Sequence, residues 1–438
     1  MRSKVWLFMA IASCFIIGCK KDKTDHSNLA DNEIAWKTTW GSEKEETTRS
    51  LAIAQDGSVA VIGTSPYQSM FAPGYSSWIV NFDRDGNKRW EKSFITDTTL
   101  NDLNSIIVSP DGGYVLAGAT GLYASTKGQI IKLNSNGEIE WQEYFVDTVP
   151  SYSQKSINSI AATPDGGYIV AGGKQADDPS GLGVDYWIVK LDNIGRQEWD
   201  STFGSSYGVG SNSNSTGASC VAVAPDGGYI VVGSVIIDDG NYAGSYSLGN
   251  NDIMILKLNS LGGIEWKKSF GGSEQEKAIS VAVTQDGGYI VAGSASSQNG
   301  DVKGVRVGAY NYNDAWVLKL DQQGQILWQK TLGGWEDDKA SSVAITSDGG
   351  YIIAGTTASN SGDVTGNHGY SDCWIVKLDN QGGLKWQKTL GGFNADEGTS
   401  VVVSPNGGYI LAGTTWSNDG DAIGNRGLSD AFIANVNK

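Results

Sequence analysis

The residues in this chain that could do chemistry are carboxylates and aromatic rings, and both recur at fixed intervals. Glu46, Glu276, Asp338 and Asp396 each lie ten residues after a tryptophan and four before a serine. Asp301, Asp363 and Asp421 each close a Gly-Asp pair, while Asp185, Asp252, Asp314, Asp372 and Asp430 each stand two residues before a Trp, Met or Phe. Acids in Gly- and Asn-rich loops have two uses. They can ligate Ca²⁺, a hard cation that takes carboxylate and carbonyl oxygens; or they accept bonds from loop N–H groups, as Asp and Asn do in turns. The first use makes Asp301, Asp363, Asp421, Glu276, Asp338 and Asp396 candidate calcium ligands. The second is favoured, because no loop has the dense acid alternation of an EF-hand. The Asp185 series reads as turn acceptors at strand starts.

The aromatic candidates are Trp335, Phe393, Trp416, Tyr370, Tyr312 and Tyr246, with Tyr242 and Tyr310 beside them. Next to Asn and Asp, exposed rings suit a sugar: the ring stacks on a pyranose face while amides and acids bond its hydroxyls. The competing use is packing over strand ends. Other chemistries lack material. The two histidines, His26 and His368, leave almost nothing for a zinc site or a Ser-His-Asp triad. Paired carboxylates keep a carbohydrate-active hydrolase or lyase open as an alternative.

A repeat positions these residues. The segment DGGYIVAG, at Asp165–Gly172 and Asp286–Gly293, has five variants, beginning at Asp56, Asp111, Asp226, Asp348 and Asn406, giving seven copies at intervals of about sixty residues. It leads into a strand, whereas a phosphate-binding loop must open a helix. Six residues before the turn Asp or Asn stand Ser50, Ser105, Ser159, Cys220, Ser280, Ser342 and Ser400, so cysteine fills one serine slot. A second unit follows, as in Trp187-Ile-Val-Lys-Leu-Asp192, with a tryptophan twelve residues after its aromatic slot: Trp187 to Trp199, Trp316 to Trp328, Trp374 to Trp386.

Each repeat therefore reads as four short antiparallel strands joined pairwise by type I turns with a glycine at positive φ. The seventh repeat is split, Phe432 opening a strand at the C-terminus and Ile34-Ala35-Trp36 matching Ile264-Glu265-Trp266. A ring has to close, so the expected fold is all-β: a seven-bladed propeller whose N-terminal strand completes the C-terminal blade. The small-residue first strand should line the centre and the tryptophan strand the circumference, with its tryptophans as inter-blade core. Hairpin turns then share one face. The longer, variable connections share the other and carry the acids and rings, which makes it the candidate binding face.

From Ile34 to Lys438 the chain resembles propellers of the quinoprotein and WD-repeat type, through the "strand, LD..G...W" unit of pyrroloquinoline-quinone-like repeats. The resemblance implies architecture more than activity. Quinoprotein dehydrogenases have eight blades, a cofactor-capping cysteine pair and a metal site; this sequence has neither an eighth repeat nor a vicinal cysteine pair, so no cofactor is required and Ca²⁺ is the one ion under consideration. Some propellers of this family are outer-membrane assembly scaffolds.

The N-terminus has Arg2 and Lys4, an apolar run from Val5 to Ile17, then Ile16-Ile17-Gly18-Cys19. This resembles a bacterial lipoprotein signal over residues 1–18, with Cys19 diacylated and residues 19–33 a charged tether. Lys20-Lys21-Asp22, without an Asp directly after the cysteine, is similar to the export signal of Bacteroidota surface lipoproteins. The expected location is the outer membrane, anchored by lipid, with the cell surface as the further expectation. Net charge is −16, and −18 once the signal is removed, which disfavours nucleic acid. Past the signal and Cys19, Cys220 and Cys373 make no disulfide framework. The expected function is a monomeric, lipid-anchored binding or scaffold protein of the cell envelope, with a polysaccharide or envelope protein on the long-loop face.

Overall fold

The computed structural model describes residues 33–68, 73–94, 100–122, 125–146, 154–175, 184–204, 217–235, 251–306 and 312–438. The signal, Cys19, the tether up to residue 32, and Tyr242, Tyr246 and Tyr310 lie outside the described residues. Seven four-stranded antiparallel sheets form the molecule. Blades 1 to 6 occupy residues 47–94, 100–145, 155–203, 218–270, 276–332 and 338–390. Blade 7 takes three strands from residues 396–436 and its outermost strand, Ile34–Trp40, from the other end of the chain. That strand pairs from Ile34 opposite Val436 to Trp40 opposite Ala431. Innermost strands contact one another in order around the ring, and blade 7 contacts blade 1. Seven blades closed by the N-terminal strand match the sequence expectation. Among the described residues no helix is long and apolar enough to cross a membrane.

The recurring glycine segment shows why the sequence folds this way. In blade 3, Gly166 sits at φ +84°, the left-handed region a type I turn needs before re-entering the sheet. Gly172 is required for a different reason: a Cβ there would lie 1.9 Å from the Ser156 carbonyl oxygen, opposite the bulge between Ile157 and Ser159. Asp165 accepts bonds from the Thr163 hydroxyl and the Gly167 N–H, and pairs at 2.9 Å with Lys190 Nζ. Lys190 is the lysine of Trp187-Ile-Val-Lys-Leu-Asp192. It also reaches Glu198 at 3.1 Å, so one buried ammonium ties the two hairpins of the blade together.

The third strands Asp314–Leu320 and Asp372–Leu378 are buried along their whole length, because neighbouring blades cover both faces. Such strands read as continuous apolar runs rather than alternations, and each large side chain so covered contributes roughly 1.5–3 kcal/mol. On the innermost strands, hydroxyls of Ser159, Ser280 and Ser342 accept the N–H groups of Val221, Val343 and Val401 in the next blade. The repeated serine is thus an inter-blade stitch.

The outer tryptophans do lie between blades, but they are half-buried rather than core. Blades fan out from an axis, so the gap between them widens outward and the rim keeps a solvent face. Trp266 fills that gap, its ring centroid 6.0 Å from that of Tyr289 in an edge-on contact and its indole N–H donating to the Gln322 carbonyl at 3.1 Å.

Candidate functional site

The ring brings together three acid slots that are far apart in sequence. Where blade 4 meets blade 5, Asp252 from a third-strand start, Glu276 from the next innermost strand and Asp301 from that blade's long loop gather around Gly271. A Cβ on Gly271 would lie 2.2 Å from Asp252 Oδ1 and 2.9 Å from Glu276 Oε2, and Asp301 accepts the Gly271 N–H at 3.3 Å. The glycine leaves room for carboxylate oxygens to converge. The arrangement repeats with Asp314, Asp338 and Asp363 at Gly333, and with Asp372, Asp396 and Asp421 at Gly391. At the closure, Asp430 and Glu46 meet at Gly41.

Each innermost-strand acid caps its loop. Glu276 accepts the N–H groups of Gly272 and Ser297 at 2.9 and 3.1 Å; Asp338 accepts the Gly334 N–H and the Thr357 and Ser359 hydroxyls; Asp396 accepts the Gly392 N–H and the Ser417 hydroxyl. Third-strand acids accept N–H groups just upstream, Asp314 from Arg306, Asp372 from His368 and Asp430 from Arg426. The turn-acceptor reading of these acids accounts for these bonds.

It does not account for every oxygen. Asp252, Asp372 and Asp430 are each at most 4% exposed, and in each Oδ1 has no hydrogen-bond partner. Burial, with the charges of Glu276 and Asp301, pushes the Asp252 carboxyl up to about 7. Burial raises Asp314 to about 7, the Arg306 N–H partly offsetting it, and Asp372 to about 6 against the bonds from His368.

Three of these junctions carry their own basic group. Arg306 Nη1 lies 2.8 Å from the Gly333 carbonyl oxygen and 2.9 Å from Asp363 Oδ2. His368 Nδ1 is 2.6 Å from Asp372 Oδ2, Lys37 Nζ is 2.6 Å from Asp421 Oδ1, and Arg426 Nη1 is 3.5 Å from the Gly41 carbonyl oxygen. Among the described residues no three Asp, Glu, His or Cys side chains gather closely enough to enclose a metal unaided.

The aromatic candidates divide. Trp335, Phe393 and Tyr370 are 56%, 64% and 71% exposed on the long-loop face, joined there by Ile423 and Leu428. Tyr370 and Phe393 pair edge-on with centroids 6.0 Å apart, and the Trp335 N–H is anchored on the Ser361 hydroxyl. Trp416 is half-buried and its carbonyl holds Asn394 of the neighbouring loop. Tyr312 is half-buried beside the Asp314 strand. Sequence reasoning missed Ile423, Leu428 and the four glycines; Gly41, Gly271, Gly333 and Gly391, each directly after an outermost strand in the repeats that carry the Glu46 series, were the available signal.

The fold and its loop face define a seven-bladed β-propeller with a long-loop surface of buried acids and exposed rings. No family model matches the chain. Over 178 residues it is 30% identical to the regulatory protein FlaEY of Caulobacter vibrioides, a match covering 38% of this chain and 18% of that protein, so it spans less than a fifth of that relative. Among solved structures it is similar to a Dyadobacter fermentans protein of unknown function (TM-score 0.50, 9% identity, 93% of this chain and 100% of that one). It is also similar to the WD40 domain of Neurospora crassa Pan2 (TM-score 0.49, 10% identity, 93% and 96%). A third is Chaetomium thermophilum Sqt1 bound to the N-terminus of ribosomal protein L10 (TM-score 0.45, 12% identity, 91% and 98%). At 9% identity the likeness to the Dyadobacter fermentans protein bears on the fold alone.

Proposed function

We propose that this protein is a lipid-anchored binding module of the cell envelope that docks a protein partner on the long-loop face of its propeller. The observation that carries the reading is the run of exposed apolar side chains on successive loops of that face: Trp335, Tyr370, Phe393, Ile423 and Leu428. Their backbones are held by hydrogen bonds within the loops, Trp335 N–H to the Ser361 hydroxyl, Phe393 N–H to the Asp419 carboxylate, Tyr370 N–H to the Phe393 carbonyl and Leu428 N–H to the Lys44 carbonyl, so the surface is preorganised and loses little entropy on binding. Aliphatic residues among the rings favour a protein over a sugar, since Ile and Leu cannot stack on a pyranose. Of the converging carboxylates, the innermost-strand and third-strand acids are buried, where a glycoside would not reach them, which among the described residues leaves the half-buried Asp301, Asp363 and Asp421 without an accessible second acid at their junctions. Anchoring through Cys19 at the outer membrane rests on the signal sequence.

Photo-crosslinking in intact membranes tests the reading, with a benzophenone side chain at position 335, 393 or, on the hairpin face, 323. The expected result is one and the same protein captured from positions 335 and 393 but not 323, and lost with Ile423→Asp. A thermal shift with polysaccharide and no such adduct would favour glycan binding instead.

A further inference from the structure

We propose that the Asp252–Glu276–Asp301 cradle between blades 4 and 5 binds a divalent cation of the calcium type, where the next three blade junctions place a basic side chain. The equivalent position one blade on shows what belongs there: Arg306 Nη1 sits between the Gly333 carbonyl oxygen and the Asp363 carboxylate. The same carbonyl at the closure, Gly41, receives Arg426. At the blade 6–7 junction His368 and Lys37 cover Asp372 and Asp421.

The basic groups Arg306, His368 and Arg426 all come from the loop before the third-strand acid. In blade 4 that loop is IIDDGNYAGSYSLGN, residues 236–250, with no lysine, arginine or histidine. The outer-strand slot that brings Lys37 to Asp421 is Gln329 in the blade of Asp301, and its amide bonds the Asp301 carbonyl instead. Lys303 is exposed and forms no ion pair among the described residues, although its charge acts on Asp301.

Among the described residues, three carboxylates are therefore gathered without an ion-pairing cation, and Asp252, 4% exposed, packs an unpartnered Oδ1 against Gly271. Leaving such an oxygen bare is costly. The available donors are Asp252 Oδ1, the Asp301 carboxylate and the Gly271 carbonyl, all hard oxygens, and water would complete the shell, as is usual for Ca²⁺. Arginine has no open shell to fill, so one fold position can serve either a guanidinium or an ion.

Equilibrium binding of ⁴⁵Ca²⁺ to the full chain in about 0.15 M salt, which screens diffuse attraction, tests the assignment, with thermal melting in parallel. The wild type is expected to bind one ion saturably and to melt about 3 °C higher at a hundredfold excess over Kd than in EDTA. Asp252→Asn should lose both. Arg306→Ala, by emptying the next cradle, should gain a second ion. Asp252→Asn binding as the wild type does, or no saturable ion in the wild type, overturns the proposal. Should Asp252→Asn not fold, Arg306→Ala decides: no added ion overturns it, one added ion upholds it.

Discussion

Two glycines six residues apart in one motif are indispensable for unrelated reasons, and substitution separates them. At Gly166 the backbone is left-handed at φ +84° and a Cβ would meet nothing within 4 Å, so only conformational energy is at stake, about 1–2 kcal/mol for Gly166→Ala. Asn tolerates that region, so Gly166→Asn should recover most of the loss. At Gly172 the obstacle is the Ser156 carbonyl, 1.9 Å from the would-be Cβ. Because backbone on both sides of a bulge would have to move, Gly172→Ala should cost about 3 kcal/mol or more, and Gly172→Asn should recover none of it. Urea denaturation of the four variants gives the comparison directly. Equal losses at both positions, or rescue by Asn at both, would contradict the steric assignment.

At the level of hairpins and loops, the two faces of a blade hold acids of opposite character. On the hairpin face, the Thr163 hydroxyl and then the Lys190 ammonium hold Asp165 down to about 2, and burial is overcome by the Lys319 and Thr284 bonds at Asp286, also about 2. Folded values below the ordinary 3.8 mean that this stability is present above about pH 4 and is lost as pH falls towards 2. On the loop face, Asp314 at about 7 and Asp372 at about 6 work the other way: their contribution is complete below about pH 4 and is lost as pH rises through 6 and 7. Melting temperature measured from pH 2 to 8 in EDTA should therefore peak near pH 4–5, and Asp314→Asn should flatten the upper limb only. The hairpin side of this pattern was legible in the sequence, because turns are local: Asp-Gly before an apolar run specifies a turn within a few residues. Lys190 was not, since inside Trp187-Ile-Val-Lys-Leu-Asp192 it looks like any strand residue until the second hairpin folds against the first. All three acid slots were legible as separate periodicities. Their convergence was not: Asp252 and Asp301 are brought together only by the docking of one blade on the next, and the space they share is opened by Gly271, an unremarked loop residue.

For the whole molecule, the split seventh blade makes ring closure depend on a strand that sits at the far end of the chain. Ile34 lies opposite Val436, and the Asn437 N–H donates to the Glu33 carbonyl at 2.8 Å, so the two ends already form one side of an unjoined hairpin. Strand pairing in blade 7 thus closes a loop of nearly the entire chain, the costliest such closure in the fold, although the penalty grows only as the logarithm of length. Once closed, each blade is covered on both sides and the ring has no free sheet face. A circular permutant that joins Lys438 to Glu33 through Asn-Gly and opens the chain between Glu43 and Lys44, in an exposed loop, keeps every strand pairing while making blade 7 local. It should fold faster than the parent, with a melting temperature within a few degrees of it. Deleting residues 34–40 instead removes the outermost strand, strips the Trp36 contact from Gly86, and should lower and broaden the melt. Stopped-flow refolding and calorimetry distinguish these outcomes. A permutant that refolds no faster than the parent would show that closure is not the slow step, and a deletion as stable as the parent would show that the ring does not need its clasp.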